Sequence, residues 1–321
     1  MRAVVLREFG PPDRLRVAEV PAPRPRPGQV TVRVAAVGVQ FLETQVRSGT
    51  MPGALPVILG KEVAGVVAEV GPGGDPALVG KRVLASTAGT GGYAEVAAVP
   101  ADGIVPVPAG LDVEDALAVY RYGATAEGLV TTARVTAGDR VLVQAAAGAV
   151  GTILLQLLKR AGATVVGAAR GEPKLALARK LGADHAVDYS LPGWTDRIRD
   201  AVGGSVEVVY DHIGGDLGRQ SFELLTPGSG RQIVFGFSGG RPLDVQPMEL
   251  FGRGLTLTGF SAGLIWNRPA HARTLVTEVL DLAASGLLTP VVGQRFRLEK
   301  AADAHAAVEA RDTVGKTLLI P

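Results

Sequence analysis

The chain has 321 residues, 47% of them hydrophobic, enough to bury the cores of two domains. Lysine and arginine total 33 against 31 acidic residues, a net charge of +2 with no long basic run, which speaks against a nucleic-acid partner. Cysteine is absent, so disulfides, thiolate metal ligands and a cysteine nucleophile are excluded; no apolar run approaches a membrane span, and Met1-Arg-Ala-Val-Val-Leu-Arg7 is too short and charged for a signal peptide, so a cytoplasmic protein is expected.

Residues 1–115 read as β structure. Short β-branched runs at 4–6, 29–37, 64–70, 82–85 and 93–99 are separated by turns such as Pro11-Pro-Asp13, Pro27-Gly28 and Gly71-Pro-Gly-Gly-Asp75. The pattern changes at Asp112-Val-Glu-Asp115, where acids occupy the first turn of a helix. Strands near Val141, Thr164, His185, Val206, Arg231 and Leu255 then alternate with helices near 152–161, 173–182, 193–201 and 216–225. That alternation predicts an α/β fold with a parallel, doubly wound sheet. After Phe260 come a helix near 269–285, a strand near 292–298, a short helix at 299–310 and a last strand at 316–320. This tail lacks a domain's core by itself.

The most informative stretch is Val141-Leu-Val-Gln-Ala-Ala-Ala-Gly-Ala-Val-Gly151, which leads from a buried strand into an apolar helix. It contains Ala146-x-Gly148-x-x-Gly151, the dinucleotide fingerprint with its first glycine replaced by alanine. A small residue at 146 makes the turn. Gly148 lets a pyrophosphate approach the backbone, and Gly151 lets helix and strand pack closely. The helix start then aims N–H groups and a positive dipole end at phosphate, with Ala149 and Val150 as donors. A site for NAD would place an acid about 20 residues on, for the ribose 2′-hydroxyl. Here Val165-Val-Gly-Ala-Ala-Arg-Gly171 has none; Arg170 and then Lys174 stand ready for a 2′-phosphate, so NADPH is the expected cofactor.

With these motifs in place the chain resembles the quinone oxidoreductase branch of the zinc-free medium-chain dehydrogenase/reductases. The carrying residues are Gln40-Phe-Leu-Glu-Thr-Gln-Val-Arg-Ser-Gly49, Gly65-Val-Val-Ala-Glu-Val-Gly71, the glycine-rich turn, Leu181-Gly-Ala-Asp184, Val208-Val-Tyr-Asp-His-Ile-Gly-Gly215 and the closing Arg311-Asp-Thr-Val-Gly-Lys-Thr-Leu-Leu-Ile-Pro321. The resemblance implies a GroES-like β domain from both chain ends (1–118 and 262–321) and a Rossmann domain at 119–261. It implies NADPH, hydride transfer to a small-molecule quinone and a homodimer. In the zinc branch a histidine follows a glycine and precedes a glutamate; here the match is Gly60-Lys61-Glu62, so no metal is expected.

Carried over residue by residue, the resemblance places the substrate and nicotinamide beside Gln40 and a loop from Phe41 to Gln45; Tyr122 is a candidate replacement for aromatic walls the family pattern would have, with core packing as the equal alternative. It assigns cofactor contacts to Thr125, Gly148, Ala149, Val150, Gly151, Arg170, Lys174, Tyr189, His212, Phe235, Gly236, Phe237, Ser238, Phe260 and Arg311. Several of these have plainer alternatives: Thr125 as a helix-packing residue, Phe235 as strand core. The chain departs from the family pattern at Gln40 (usually Asn), Gln45 (commonly Tyr) and Glu127 (commonly aromatic), which bears on the substrate more than on the cofactor. Reduction of α,β-unsaturated carbonyls, and NADPH sensing with little turnover, stay open beside quinone reduction. No general acid is assigned, because water can complete the protonation.

Overall fold

The computed structural model describes every residue except Pro52. In chain order the first part comprises β1 (Arg2–Leu6), β2 (Leu15–Glu19), β3 (Gln29–Val39), α1 (Phe41–Ser48), β4 (Val57–Ile58), β5 (Glu62–Val70), β6 (Arg82–Ser86), β7 (Val96–Pro100), β8 (Val105–Pro106) and α2 (Val113–Ala133). There follow β9 (Arg140–Gln144), α3 (Ala149–Arg160), β10 (Thr164–Ala169), α4 (Glu172–Lys180), β11 (His185–Asp188), α5 (Trp194–Val202), β12 (Val208–Asp211), α6 (Gly215–Phe222), β13 (Arg231–Val234), α7 (Pro247–Arg253), β14 (Thr256–Gly259), α8 (Ala262–Trp266) and α9 (Pro269–Ala284). The chain closes with β15 (Val292–Arg297), α10 (Ala301–Glu309) and β16 (Lys316–Ile320).

Two compact units result, Met1–Arg121 with Leu280–Pro321, and Tyr122–Val279. The first is β-rich. Its larger sheet runs β15-β16-β3-β5-β6-β8, with β7 also on β3, and a smaller one runs β2-β1-β4. The last strand, β16, pairs antiparallel with β3, so the two chain ends share one sheet. They share one core too: Val32, Val37, Val63 and Val83 pack with Leu298, Ala304 and Leu319. Alternating apolar residues along β3 and β5 supply that face.

The second unit is a six-stranded parallel sheet in the order β11-β10-β9-β12-β13-β14. All five pairings are parallel, and α3 to α7 are the crossovers that parallel strands require. Strand order reverses between β9 and β12. In such sheets ligands bind outside the carboxyl ends at that switch point.

The structure differs from the sequence expectations at both crossings between units, the first at Arg121/Tyr122 rather than 118/119, and at residues 41–45. The second crossing between units falls at Val279/Leu280 rather than 261/262. The cause is close packing against α2: a Cβ on Gly123 would lie 2.6 Å from Cγ1 of Val279, and one on Gly128 3.0 Å from Cζ of Phe260. Glycines there let α8 and most of α9 lie tight on α2, so they join the second unit. The expected loop from Phe41 to Gln45 is instead the start of helix α1. The Gln40 N–H donates to the Glu43 carboxylate at 2.8 Å, and Gly49 ends the helix in the left-handed conformation, φ 83°.

The deepest charge in the first unit is an ion pair between Lys316 and Glu62, side chains 1% and 0% exposed. Lys316→Met would strand Glu62 in the core, an expected loss of about 3–5 kcal/mol. Adding Glu62→Gln removes the stranded charge, and roughly half of that loss is expected to return. Urea unfolding of the two single variants and the double variant checks this; additive losses would show that the pair is not coupled.

Candidate functional site

The turn after β9 is built for a tight approach. Ala145 adopts a left-handed conformation, φ 49°, and the Gly148 N–H closes the turn on the Ala145 carbonyl at 2.8 Å. A Cβ on Gly151 would lie 2.5 Å and 2.7 Å from the carbonyl oxygens of Ala145 and Ala146, so no larger residue fits. Gly148 is the N-cap of α3 and has no side chain to occupy the helix start. The first helical bond runs from Thr152 N–H to the Gly148 carbonyl, which leaves the N–H groups of Ala149, Val150 and Gly151 without an intrahelical partner. Donors and dipole together make an anion site. These features match what the pyrophosphate of a dinucleotide needs.

Parallel winding brings the other expected cofactor residues to the same edge of the sheet. Arg170 follows β10, Tyr189 follows β11, His212 follows β12, Phe235 follows β13 and Phe260 follows β14. Arg170 is exposed; Lys174 is half-buried in the first turn of α4, and Gly171 starts that helix at φ 83°. The nearest strand-end acid, Asp188, is engaged by the N–H groups of Gly171 and Ser190, both at 2.8 Å. It staples the loop, and no carboxylate ends β10 where a 2′-hydroxyl would be held.

The turns after β12 and β13 are fastened together. Ser238 N–H donates to the His212 carbonyl at 3.0 Å and Gly239 N–H to that of Ile213 at 2.9 Å. The His212 ring leans on Phe235 with centroids 5.0 Å apart, and a Cβ on Gly236 would lie 2.7 Å from His212 Cδ2. Phe237 is exposed at the tip. Beneath them Asp211 accepts from the N–H groups of Ile213 and Gly214 and from Gln232, at 2.8–2.9 Å. Burial pushes the Asp211 carboxyl up, and these bonds pull it down less. Two expected cofactor residues do not follow a strand of this sheet. Thr125 is buried within α2, and Arg311 belongs to the first unit, just past α10, with φ 59°. Tyr122 is the first residue of the second unit, on α2.

In the first unit, one end of the larger sheet gathers Gln40, Phe41, Lys61, Glu62, Thr87 and Lys316, because β3 and β6 end where β5 and β16 begin. Gln40 is buried and its Nε2 donates to Glu62 Oε1 at 2.9 Å, the atom that also takes Lys316. Glu43 is the clamp, unforeseen in the sequence. Its carboxylate accepts from Gln40 N, Lys61 N and the Tyr93 hydroxyl, at 2.8–2.9 Å. Burial still pushes it above the usual carboxylate range. Tyr93 is also 2.9 Å from Nε2 of the fully buried His305. Phe41 and Gln45 are half-buried on α1, and Gln45 leans on Thr44.

Residues 26–109 match the family described as alcohol dehydrogenase GroES-like domain, and residues 149–282 that described as zinc-binding dehydrogenase. A quinone oxidoreductase of Pseudomonas aeruginosa is 33% identical, with 98% of this chain and 97% of the relative covered. The quinone oxidoreductase of Escherichia coli, solved as its NADPH complex, superposes with a TM-score of 0.93 at 31% identity, each chain covered in full. This chain belongs to the quinone oxidoreductase branch of the medium-chain dehydrogenase/reductases. A 2-haloacrylate reductase of Burkholderia sp. is 35% identical over 99% of this chain and 98% of its own length. The zinc-binding label of the second match does not extend to the donor set: there is no cysteine, and no group of three His, Asp or Glu among the described residues is placed to hold a metal.

Burial depresses the His305 imidazole from 6.5 to about 3, with the Arg47 charge adding to it. The folded state therefore resists a proton that the unfolded chain takes up, so stability falls as pH drops from 6.5 towards about 3, by roughly 1.4 kcal/mol per unit. Glu43, raised when folded, works in the opposite direction. His305→Gln is expected to remove the His305 slope alone, seen as a flatter course of urea midpoints between pH 7 and 4. Parallel courses for variant and parent would refute the assignment.

Proposed function

We propose that this protein is an NADPH-dependent oxidoreductase that transfers a hydride to a quinone without a metal. The carrying observation is the carboxyl edge of the parallel sheet, where a side-chain-free helix start at Gly148 is followed, one strand on, by Arg170 and Lys174 with no acid for a 2′-hydroxyl. The NADPH complex of the Escherichia coli relative supports the same cofactor. NADPH supplies the hydride when bound. The chain's own part is to hold phosphates on the α3 N–H groups and a 2′-phosphate on Arg170 and Lys174, with Tyr189 beside them. Thr125, His212, the Phe235–Ser238 turn, Phe260 and Arg311 complete the assignment. Gln40, Phe41, Gln45 and Tyr122 are assigned to the acceptor. A quinone is already electron-poor, so it needs donors for the developing oxyanion more than a Lewis acid.

A second reading, reduction of a C=C bond conjugated to a carbonyl, is favoured by the likeness to the 2-haloacrylate reductase. It needs the same cofactor and the same transfer.

The proposal includes a cytoplasmic homodimer. Among the described residues no helix is long and apolar enough to cross a membrane. Strand β14 ends its sheet with one neighbour, and α7 just before it exposes Met248 at 70% and Phe251 at 80%. An unprotected edge flanked by apolar side chains suits pairing across a two-fold axis. Sedimentation at micromolar concentration tests this, and a monomer there would refute it.

Activity is tested by following loss of reduced-nicotinamide absorbance with NADPH or NADH against quinones and 2-alkenals. Quinone-dependent loss with NADPH is the expected outcome. Loss with alkenals alone would move the assignment to the second reading, and saturable NADPH binding without turnover would point to sensing. Lys174→Ala is expected to weaken NADPH binding about tenfold and to leave NADH binding nearly unchanged. Equal losses for both would sink the 2′-phosphate assignment.

A further inference from the structure

At the sheet end that carries Gln40, one ammonium has no hydrogen-bonded or ion-paired partner among the described residues. Lys61 precedes β5 and is half-buried, and its ammonium makes no hydrogen bond or ion pair with any described residue. Its backbone is rigid: the N–H donates to Glu43 at 2.9 Å and the carbonyl accepts from Thr87 N at 3.1 Å. The preceding Gly60, at φ 102°, admits no side chain, since a Cβ would lie 2.6 Å from Gly92 Cα.

The polar groups around this sheet end have partners of their own. The Glu43 carboxylate takes Gln40 N, Lys61 N and the Tyr93 hydroxyl. Glu62 is paired with Lys316 and Gln40. The Thr87 hydroxyl donates to the Gly60 carbonyl at 2.6 Å. Burial is the main force lowering the Lys61 ammonium from its ordinary value; Glu43 opposes it, and Arg121 on α2 pushes the same way as burial. A second cation close by makes the position less comfortable still for a positive charge. A half-buried ammonium in such surroundings gains most from an anion that arrives with the substrate.

We propose that Lys61 forms an anion subsite for the acceptor, and that the acceptor class is an α,β-unsaturated carboxylate. The proposal rests on the reading of the chain as an NADPH-dependent reductase of conjugated acceptors. The subsite has a chemical purpose as well as a binding one. A free carboxylate feeds electron density into the conjugated double bond and makes its β-carbon a poor hydride acceptor. An ammonium paired with that carboxylate withdraws the density, and does so most effectively where water is scarce. In the balanced reaction the β-carbon gains the hydride of NADPH, the α-carbon gains a proton from water, and the C=C bond becomes a single bond. NADP⁺ is the oxidised product and the carboxylate leaves unchanged. Gln40, whose N–H the same Glu43 clamp holds, is anchored at the same sheet end.

The test compares an acid with its neutral ester in the full-length protein: 2-chloroacrylate against methyl 2-chloroacrylate, each with NADPH. Lys61→Met is expected to lower the acid-to-ester ratio of kcat/KM by about 30-fold, and Lys61→Arg to restore most of it. The ratio cancels a general loss of folded enzyme. Calorimetric titration of the NADP⁺-loaded protein with propionate gives a readout without turnover, with binding expected to be about tenfold weaker in Lys61→Met. An unchanged ratio, or equal propionate binding, overturns the subsite. If the parent reduces quinones and the ester but not the acid, the subsite fails and the reductase reading stands. If no acceptor, quinone, ester or acid, drives NADPH oxidation, both fall.

Discussion

The first unit depends on one buried ion pair. Lys316 opens the last strand and Glu62 opens β5, and the two meet with side chains almost wholly out of water. A charge this deep is tolerated only with its partner in place, so the strand made from the chain's end must be seated before the sheet's interior is complete. Gly38 on β3 makes the room: a Cβ there would lie 2.5 Å from both Glu62 Oε1 and Lys316 Nζ. The same carboxylate oxygen then receives the Gln40 amide. A stability device and the orientation of an assigned acceptor residue are therefore one piece of structure.

The second unit depends on winding instead of charge. Parallel strands joined by helices place every strand's carboxyl end on one edge, and chemistry follows from what stands next in the chain. A small-residue turn after β9, a cation after β10 and aromatic rings after β11, β12, β13 and β14 form that edge. Gly151 and Gly236 serve different purposes within it. The first lets helix and strand close on each other; the second yields space to the His212 ring.

Much of this was legible in the sequence, because strand-helix alternation and glycine spacing are local signals. The strands near Val141, Thr164, His185, Arg231 and Leu255 needed only periodicity and turn residues. Helix α1 was legible too, through the spacing of Gln40 and Glu43 and the terminal Gly49, but the resemblance had suggested a loop there. The unit boundary within α9 was not legible, since it rests on Gly123 meeting Val279 across nearly the whole of the second unit's chain. Nor was the Glu43 clamp, whose donors come from Lys61 and Tyr93 on separate turns, with His305 beyond them. Such contacts carry no periodicity and exist only once the sheet has formed.

The clamp also explains why Lys61 is unpaired. Two carboxylates and two ammonium groups meet at this end of the sheet, and a simple pairing would satisfy all four. Glu62 takes Lys316, and Glu43 takes two backbone N–H groups and a phenol, at 2.8–2.9 Å. Rigid backbone donors cost less side-chain entropy than a lysine does, so they win the carboxylate. Lys61 is thus anchored by its main chain to the acid nearest it, while its charge is directed elsewhere. An arrangement that fixes the backbone of a lysine and withholds a partner from its ammonium holds that charge in readiness for a substrate anion.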